Sequence, residues 1–327
     1  MRQITFQRAQ TVDEAIKTGS GPETAFLAGG TSLVDLMKLE VLRPAHLVDL
    51  SRLELSRIEV TEEGARIGAL ATNTDVAEHP EIQRRFPALS QALLSGASPQ
   101  LRNAATVGGN LLQRTRCAYY RDLATACNKR QPGSGCSAID GWTRMHAILG
   151  TSPHCIAAHP SDMCVALAAL DATVHLRGPA GERELPIGEL HLLPEDHPER
   201  EFALQPGELI TSVFVPATPL AQHSRYLKVR DRASYAFALV SCASGLQVEG
   251  KVLRAARIAL GGVGTKPWRA IEAEQALLGR PPDRSAFRRA ADLALRGAKT
   301  RPDNEFKVEL AKRTVVRALS LAAEGQS

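Results

Sequence analysis

The residues that could do chemistry in this chain are concentrated in two places, a run of cysteines and a pair of glycine turns. Six cysteines are spread unevenly over 327 residues. The first 116 residues hold none, and Cys117, Cys127, Cys136, Cys155 and Cys164 then fall within 48 positions, with Cys242 further on. A disulfide scaffold would be shorter and more evenly stapled. Crowded thiols in a large chain point instead to a metal or cluster site. Nine, eight and eighteen residues separate Cys117, Cys127, Cys136 and Cys155, wider gaps than the tight pairs usual for zinc. Four such thiolates on a Gly- and Pro-rich segment suit a [4Fe–4S] cluster, which tolerates irregular chain paths. Arg114, Arg116, Arg121, Lys129 and Arg130 would offset its negative charge. Cys164, on an expected helix, and Cys242, in an apolar strand, read as core residues.

The first glycine turn is Phe26-Leu27-Ala28-Gly29-Gly30-Thr31-Ser32-Leu33-Val34, in which an apolar strand feeds a glycine pair and then hydroxyl residues opening a helix. The second is Ala105-Thr106-Val107-Gly108-Gly109-Asn110. Glycine allows close approach of the backbone to a phosphate and positive φ, and helix starts present free amides. Neither turn has the G-x-G-x-x-G dinucleotide spacing. Two of them in one domain suggest a pyrophosphate clamped between the pair.

Elements to position these residues follow from the hydropathy pattern. Thr24–Ala28 and His46–Leu50 read as strands around a helix over Leu33–Leu39, with Thr11 or Asp13 capping an earlier helix. Further on, Arg66–Leu70, Thr173–Arg177 and Glu208–Val215 read as strands, and Phe86–Leu94 and Pro160–Leu170 as helices. Residues 113–155 carry little periodicity and read as an insertion. After Pro216 the pattern becomes three strands, the first being Arg225–Arg230 with Tyr226 and Lys228 on one face. Three amphipathic helices follow, over 270–278, 285–295 and 304–323, which makes a separate α+β domain. The expected division is 1–217 and 218–327, the first part splitting at 57/58.

Composition excludes several classes. Forty basic against 35 acidic residues give a net charge of +5, and only 4% of residues are aromatic. That offers little for nucleic acid. No apolar run is long enough to span a membrane. Met1-Arg2-Gln3-Ile4-Thr5-Phe6 leads into no long apolar stretch, so no cleavable signal peptide is expected.

Longer motifs carry a resemblance. They are Ala28-Gly29-Gly30-Thr31-Ser32-Leu33-Val34-Asp35-Leu36-Met37-Lys38, Ala105 to Cys117, Cys127-Asn128-Lys129-Arg130, His159-Pro160-Ser161-Asp162, and Lys228 to Val240. Along nearly its whole length the chain resembles the FAD-binding subunits of bacterial molybdenum hydroxylases of the xanthine dehydrogenase family, in their aldehyde-oxidising branch. The resemblance implies an α+β fold: a two-part FAD domain of the vanillyl-alcohol-oxidase type with an iron–sulfur insertion, then a C-terminal α+β domain like that of the CO dehydrogenase flavoprotein. It implies non-covalent FAD with its pyrophosphate on Phe26, Leu27, Ala28, Gly29, Gly30, Thr31, Ser32, Leu33 and Val34 and on Thr106, Gly109 and Asn110. It places Asp162 at the adenosine side, and Ile210 and Lys228 near the flavin. It assigns one [4Fe–4S] cluster to Cys117, Cys127, Cys136 and Cys155, with Cys164 as the competitor for the fourth place.

Function is likewise implied by the resemblance. A large subunit with the molybdenum cofactor oxidises aldehydes to carboxylic acids, and a small subunit carries two [2Fe–2S] clusters. In that heterotrimer, electrons reach FAD in this chain and leave to an external acceptor. No catalytic side chain is expected here. The complex would be periplasmic through a signal on a partner, or else cytoplasmic. Two other readings stand beside this one, a stand-alone flavoprotein oxidase with structural cysteines and a non-enzymatic metal-binding interaction module.

Overall fold

The computed structural model describes residues 3–324. Among the described residues the chain builds three sheets. Strands β1 (Thr5–Arg8), β2 (Thr24–Leu27) and β3 (His46–Asp49) form a parallel sheet in the order β1-β3-β2. Strand β1 is exposed at every residue, so it has no apolar run to betray it in the sequence. The helix Val12–Gly19 joins β1 to β2, and Thr11 caps it by accepting from the Glu14 amide.

The second sheet is antiparallel, with β4 (Ile58–Val60), β5 (Gly64–Gly68), β6 (Thr173–Gly178), β7 (Gly181–Pro186) and β8 (Leu209–Pro216) in the order β4-β5-β8-β6-β7. Its core is closed by the helices Asn73–Glu78, Pro80–Arg85, Pro87–Ser95 and Asp162–Ala169. Two of these helices, and Pro99–Ala104 as well, start at proline, which is favoured in a first helical turn because its missing N–H would have no partner there. Pro80–Arg85 and Pro99–Ala104 are too short and polar to show a period.

The third sheet comprises β9 (Ser224–Val229), β10 (Val240–Glu249), β11 (Val252–Gly261) and the two-residue β12 (Trp268–Arg269), in the order β12-β11-β10-β9. It has four strands where the pattern gave three. Its two faces do different work, as period-2 alternation requires. Cys242, Leu246, Ile258 and Leu260 face Ile271–Leu277, Arg284–Ala294 and Phe306–Glu324. Tyr226, Ala243 and Ala259 pack into the core of the second sheet. Small residues on this face let the sheet lie close to Asp162–Ala169, a helix buried almost all round.

Arg269 fastens the two parts together. Its guanidinium donates to the Ala168 carbonyl at 2.6 Å and to Asp171 at 2.7 Å, and it pairs with the buried Glu274. Glu274 also accepts the Ile258 amide at 2.8 Å. Replacing Arg269 with Met leaves a buried carboxylate without its cation, and an expected loss of about 3 kcal/mol is read from urea unfolding. An unchanged midpoint would refute this role for Arg269.

Candidate flavin and four-cysteine sites

The first glycine turn follows β2 and enters the short helix Leu33–Lys38. Gly30 has φ +70°, and a Cβ on Gly29 would stand 1.8 Å from the Ala104 carbonyl oxygen. The two glycine turns are therefore packed backbone to backbone, and only glycine fits at position 29. Among the described residues, none accepts a hydrogen bond from the amides of Gly30, Thr31, Ser32 and Leu33. A run of free amides beside two hydroxyls is what a pyrophosphate requires. The second turn is built differently. Val107 and Gly108 donate to Ala71 and Ala69, and Gly109 donates to Thr106 Oγ1, so this turn contributes shape more than free donors.

Three cavities run in series along these turns. One of about 270 Å³ is lined by Phe26, Ala28 to Leu33, Thr106, Gly109 and Ile210. A second, of about 360 Å³, shares Thr31, Ser32 and Gly109 with it and continues to Asn110, Asp162 and Lys228. A third, of about 510 Å³, shares Arg116, Met145, Asp162 and Phe237 with the second and reaches Cys117 and His146. A two-ended cofactor with a pyrophosphate at its middle fits the first two, with the glycine turns at their junction.

Asp162 begins the helix Asp162–Ala169, and its carboxylate accepts from Lys228 Nζ at 2.7 Å and Tyr226 Oη at 2.5 Å. The Lys228 side chain is only 3% exposed, so it is not a solvated surface lysine. Lys228 also donates to the Ser95 carbonyl at 3.0 Å. Ser161 donates to Asn110 Oδ1 at 2.6 Å, tying the Ser-Asp motif to the second turn. Asp162 and Lys228 touch each other at one end of the cleft, and Ile210 lines the cavity at the other. Tyr226 was placed beside Lys228 by strand alternation, but nothing in the sequence marked it as a partner of Asp162.

Residues 113–155 contain one short helix, Ala118–Arg121, and otherwise turns. Cys127 and Cys136 face each other across an antiparallel bridge. That loop is closed by Gly135 donating to Asn128 Oδ1 and by the Cys127 amide donating to Ser134 Oγ. The four thiols of Cys117, Cys127, Cys136 and Cys155 lie near enough to influence one another, and none is in a disulfide. Backbone amides point at three of them: Tyr119 and Tyr120 at Cys117, Ala138, Ile139 and Ile156 at Cys136, and Ala157 at Cys155. Burial pushes the Cys117 thiol up to about 12 and raises Cys136 and Cys155, with Lys129 pulling Cys155 back. Thiolates here therefore need cationic company. Lys129 is held over the group by Glu201 at 2.9 Å and the Pro198 carbonyl at 2.9 Å. The donor set and its amides fit an iron–sulfur cluster.

Cys164 keeps different company. It lies with His159 and His191, their nearest ligand-type atoms within 4.8 Å. His159 Nδ1 accepts from the Ser161 amide at 3.4 Å, and His191 Nε2 donates to the Leu111 carbonyl at 2.9 Å. That leaves a hydrogen on His159 and a lone pair on His191, a donor and an acceptor instead of two lone pairs for a metal. Burial pushes His191 down to about 4 and His159 well below its usual value, so both rings are neutral. Cys242 is buried among apolar residues.

Comparison with known proteins agrees with this architecture. Residues 2–218 match the FAD binding domain of molybdopterin dehydrogenases, and residues 225–322 match the CO dehydrogenase flavoprotein C-terminal domain. The chain therefore belongs to the family of FAD-binding medium subunits of molybdenum hydroxylases, oxidoreductases that need partner subunits. It is 49% identical to the aldehyde oxidoreductase FAD-binding subunit PaoB of Escherichia coli K12, covering 98% of this chain and 99% of that one. It is 28% identical to the carbon monoxide dehydrogenase medium chain of Hydrogenophaga pseudoflava over 92% and 90% of the two chains. Among solved structures, quinoline 2-oxidoreductase from Pseudomonas putida 86 superposes with a TM-score of 0.77 at 26% identity, covering 99% of this chain and 98% of that one.

Lys228 and Asp162 form a pair whose members need each other. Lys228→Met is expected to weaken FAD binding at least about tenfold, read by flavin fluorescence quenching, since it also leaves a buried carboxylate unpaired. Asp162→Asn combined with Lys228→Met should cost clearly less than the sum of the two changes. Strict additivity, or an unchanged FAD affinity in Lys228→Met, would contradict the pairing.

Proposed function

We propose that this chain is the electron-transfer subunit of a molybdenum-dependent aldehyde oxidoreductase, holding one FAD and one [4Fe–4S] cluster. In this reading Cys117, Cys127, Cys136 and Cys155 hold the cluster, and electrons from a molybdenum-cofactor large subunit and a [2Fe–2S] small subunit pass through this chain to an external acceptor. The observation that carries it is the large cavity whose lining includes Cys117 and His146 together with Asp162 and Phe237. The near-half identity to an aldehyde oxidoreductase subunit favours aldehydes as the substrate of the assembled complex.

The flavin, when bound, supplies the redox chemistry, accepting electrons and passing them on. The protein's part is placement and charge. Free amides of Gly30 to Leu33 would hold the pyrophosphate, and the apolar surround of Phe26 and Ile210 would take one ring system. The flavin ring belongs at the Asp162–Lys228 end, because that end adjoins the four-cysteine site. Lys228 there would favour negative charge on the reduced ring. Lys129, with the amides aimed at the thiols, would offset the charge of the cluster. Among the described residues no helix is long and apolar enough to cross a membrane. A signal on a partner subunit would carry the assembled complex to the periplasm.

Two predictions test this reading. Anaerobically purified chain should contain about four irons and one FAD, and each of Cys117→Ser, Cys127→Ser, Cys136→Ser and Cys155→Ser should lose iron. Cys164→Ser and Cys242→Ser should retain it. Zinc in place of iron, or iron that survives Cys136→Ser but not Cys164→Ser, would overturn the assignment. The insertion also docks on the helix behind the first glycine turn, where Arg116 and Arg121 both reach Asp35 at 2.7 Å. Hydrogen bonding from Arg121 holds the Asp35 carboxyl below its ordinary value against some desolvation. The contact is then complete above the ordinary aspartate range and is lost as pH falls through that lowered value. Accordingly Asp35→Asn should loosen FAD at neutral pH and remove the acid-side loss of flavin. A wild-type-like profile of flavin release against pH would contradict this coupling.

A further inference from the structure

We propose that His146 is a positioning residue for the four-cysteine site, its ring N–H donating to Cys117 Sγ while the C-terminal domain holds it in place. The inference rests on the assignment of those cysteines to a [4Fe–4S] cluster.

His146 Nε2 lies 3.2 Å from Cys117 Sγ. The ring is buried, and among the described residues Nδ1 has no partner. A ring hydrogen therefore gains a partner only on Nε2, facing the sulfur. The Tyr119 ring stands 6.1 Å away and adds no polar contact to the imidazole.

The support comes from the opposite direction in the chain. The His146 carbonyl accepts from Lys307 Nζ at 2.9 Å, and the same ammonium donates to the Gly262 carbonyl at 2.8 Å. Lys307 is fully buried at the start of the helix Phe306–Glu324. Just before His146, the Thr143 amide donates to Asp303 Oδ2 at 3.1 Å, and Asn304 Nδ2 donates to the Thr143 carbonyl at 3.4 Å. Residues 303–307 thus fix the backbone of residues 143–146. A buried lysine used for two main-chain carbonyls is costly for simple packing, and it sets the height of one ring over one sulfur.

An N–H···S bond withdraws charge from a cluster ligand and so favours the reduced state. His146 and Cys117 also line the cavity that reaches Asp162 and Phe237. The bond would therefore act on the cysteine ligand that lines this shared cavity.

The test is a redox titration of the cluster followed by electron paramagnetic resonance, on the full chain with its iron, with iron and FAD measured in parallel. His146→Phe removes the donor and should lower the reduced-to-oxidised ratio at fixed potential about tenfold, which is about 59 mV for one electron. His146→Gln keeps an N–H and should recover most of that ratio. Lys307→Met leaves the ring but frees its backbone, and it should move the ratio in the same direction as His146→Phe. Four irons with an unchanged ratio in His146→Phe would overturn the inference and leave the cluster assignment standing. If His146→Phe loses its iron, an unchanged ratio in Lys307→Met overturns it instead. Wild-type chain without iron would overturn the cluster assignment itself and this inference with it.

Discussion

The arrangement depends on one buried ion pair. Asp162 and Lys228 come from different domains, and their side chains are only 10% and 3% exposed. Neither charge can be left alone at that depth, because an unpaired buried ion costs several kcal/mol. The pair therefore fixes β9 against the start of the helix Asp162–Ala169, with Tyr226 closing the second carboxylate oxygen. Ser161, one residue earlier, reaches Asn110 in the second glycine turn. Three separate stretches of chain thus converge within one turn of helix, at the wall shared by two cavities.

The cysteine insertion obeys a related constraint. Its own backbone hydrogen bonds are mostly local turns, which shape the loop without fixing it against the rest of the chain. It is held from three sides instead. Arg116 and Arg121 reach Asp35, Lys129 reaches Glu201, and Ile148 and Leu149 join the core of the C-terminal domain while bonding to the Val263 carbonyl. A thiol site built on loops is only as precise as these anchors. They make the insertion a common neighbour of all three sheets.

Much of this was legible in the sequence because it rests on local signals. The strand, glycine pair and hydroxyl residues over 24–34 mark the first turn, and alternation over 225–230 puts Tyr226 and Lys228 on one face. Cysteine crowding marks the insertion. What could not be read depends on long-range placement. His146 meets Cys117 only because residues 303–307 hold it, and no local pattern connects position 146 with 307. Strand β1 and the short helices at Pro80 and Pro99 escaped because solvent-exposed or four- to six-residue elements carry no measurable period.

The central claim is that this chain carries electrons for a substrate oxidised elsewhere. The most direct measurement mixes the purified, flavin-loaded chain anaerobically with an aldehyde and follows flavin absorbance, before and after addition of the molybdenum and [2Fe–2S] subunits. The account predicts no bleaching of the flavin by aldehyde until the partners are present, and rapid bleaching once they are. Bleaching by aldehyde in the isolated chain would contradict it and would make the protein a flavin oxidase in its own right.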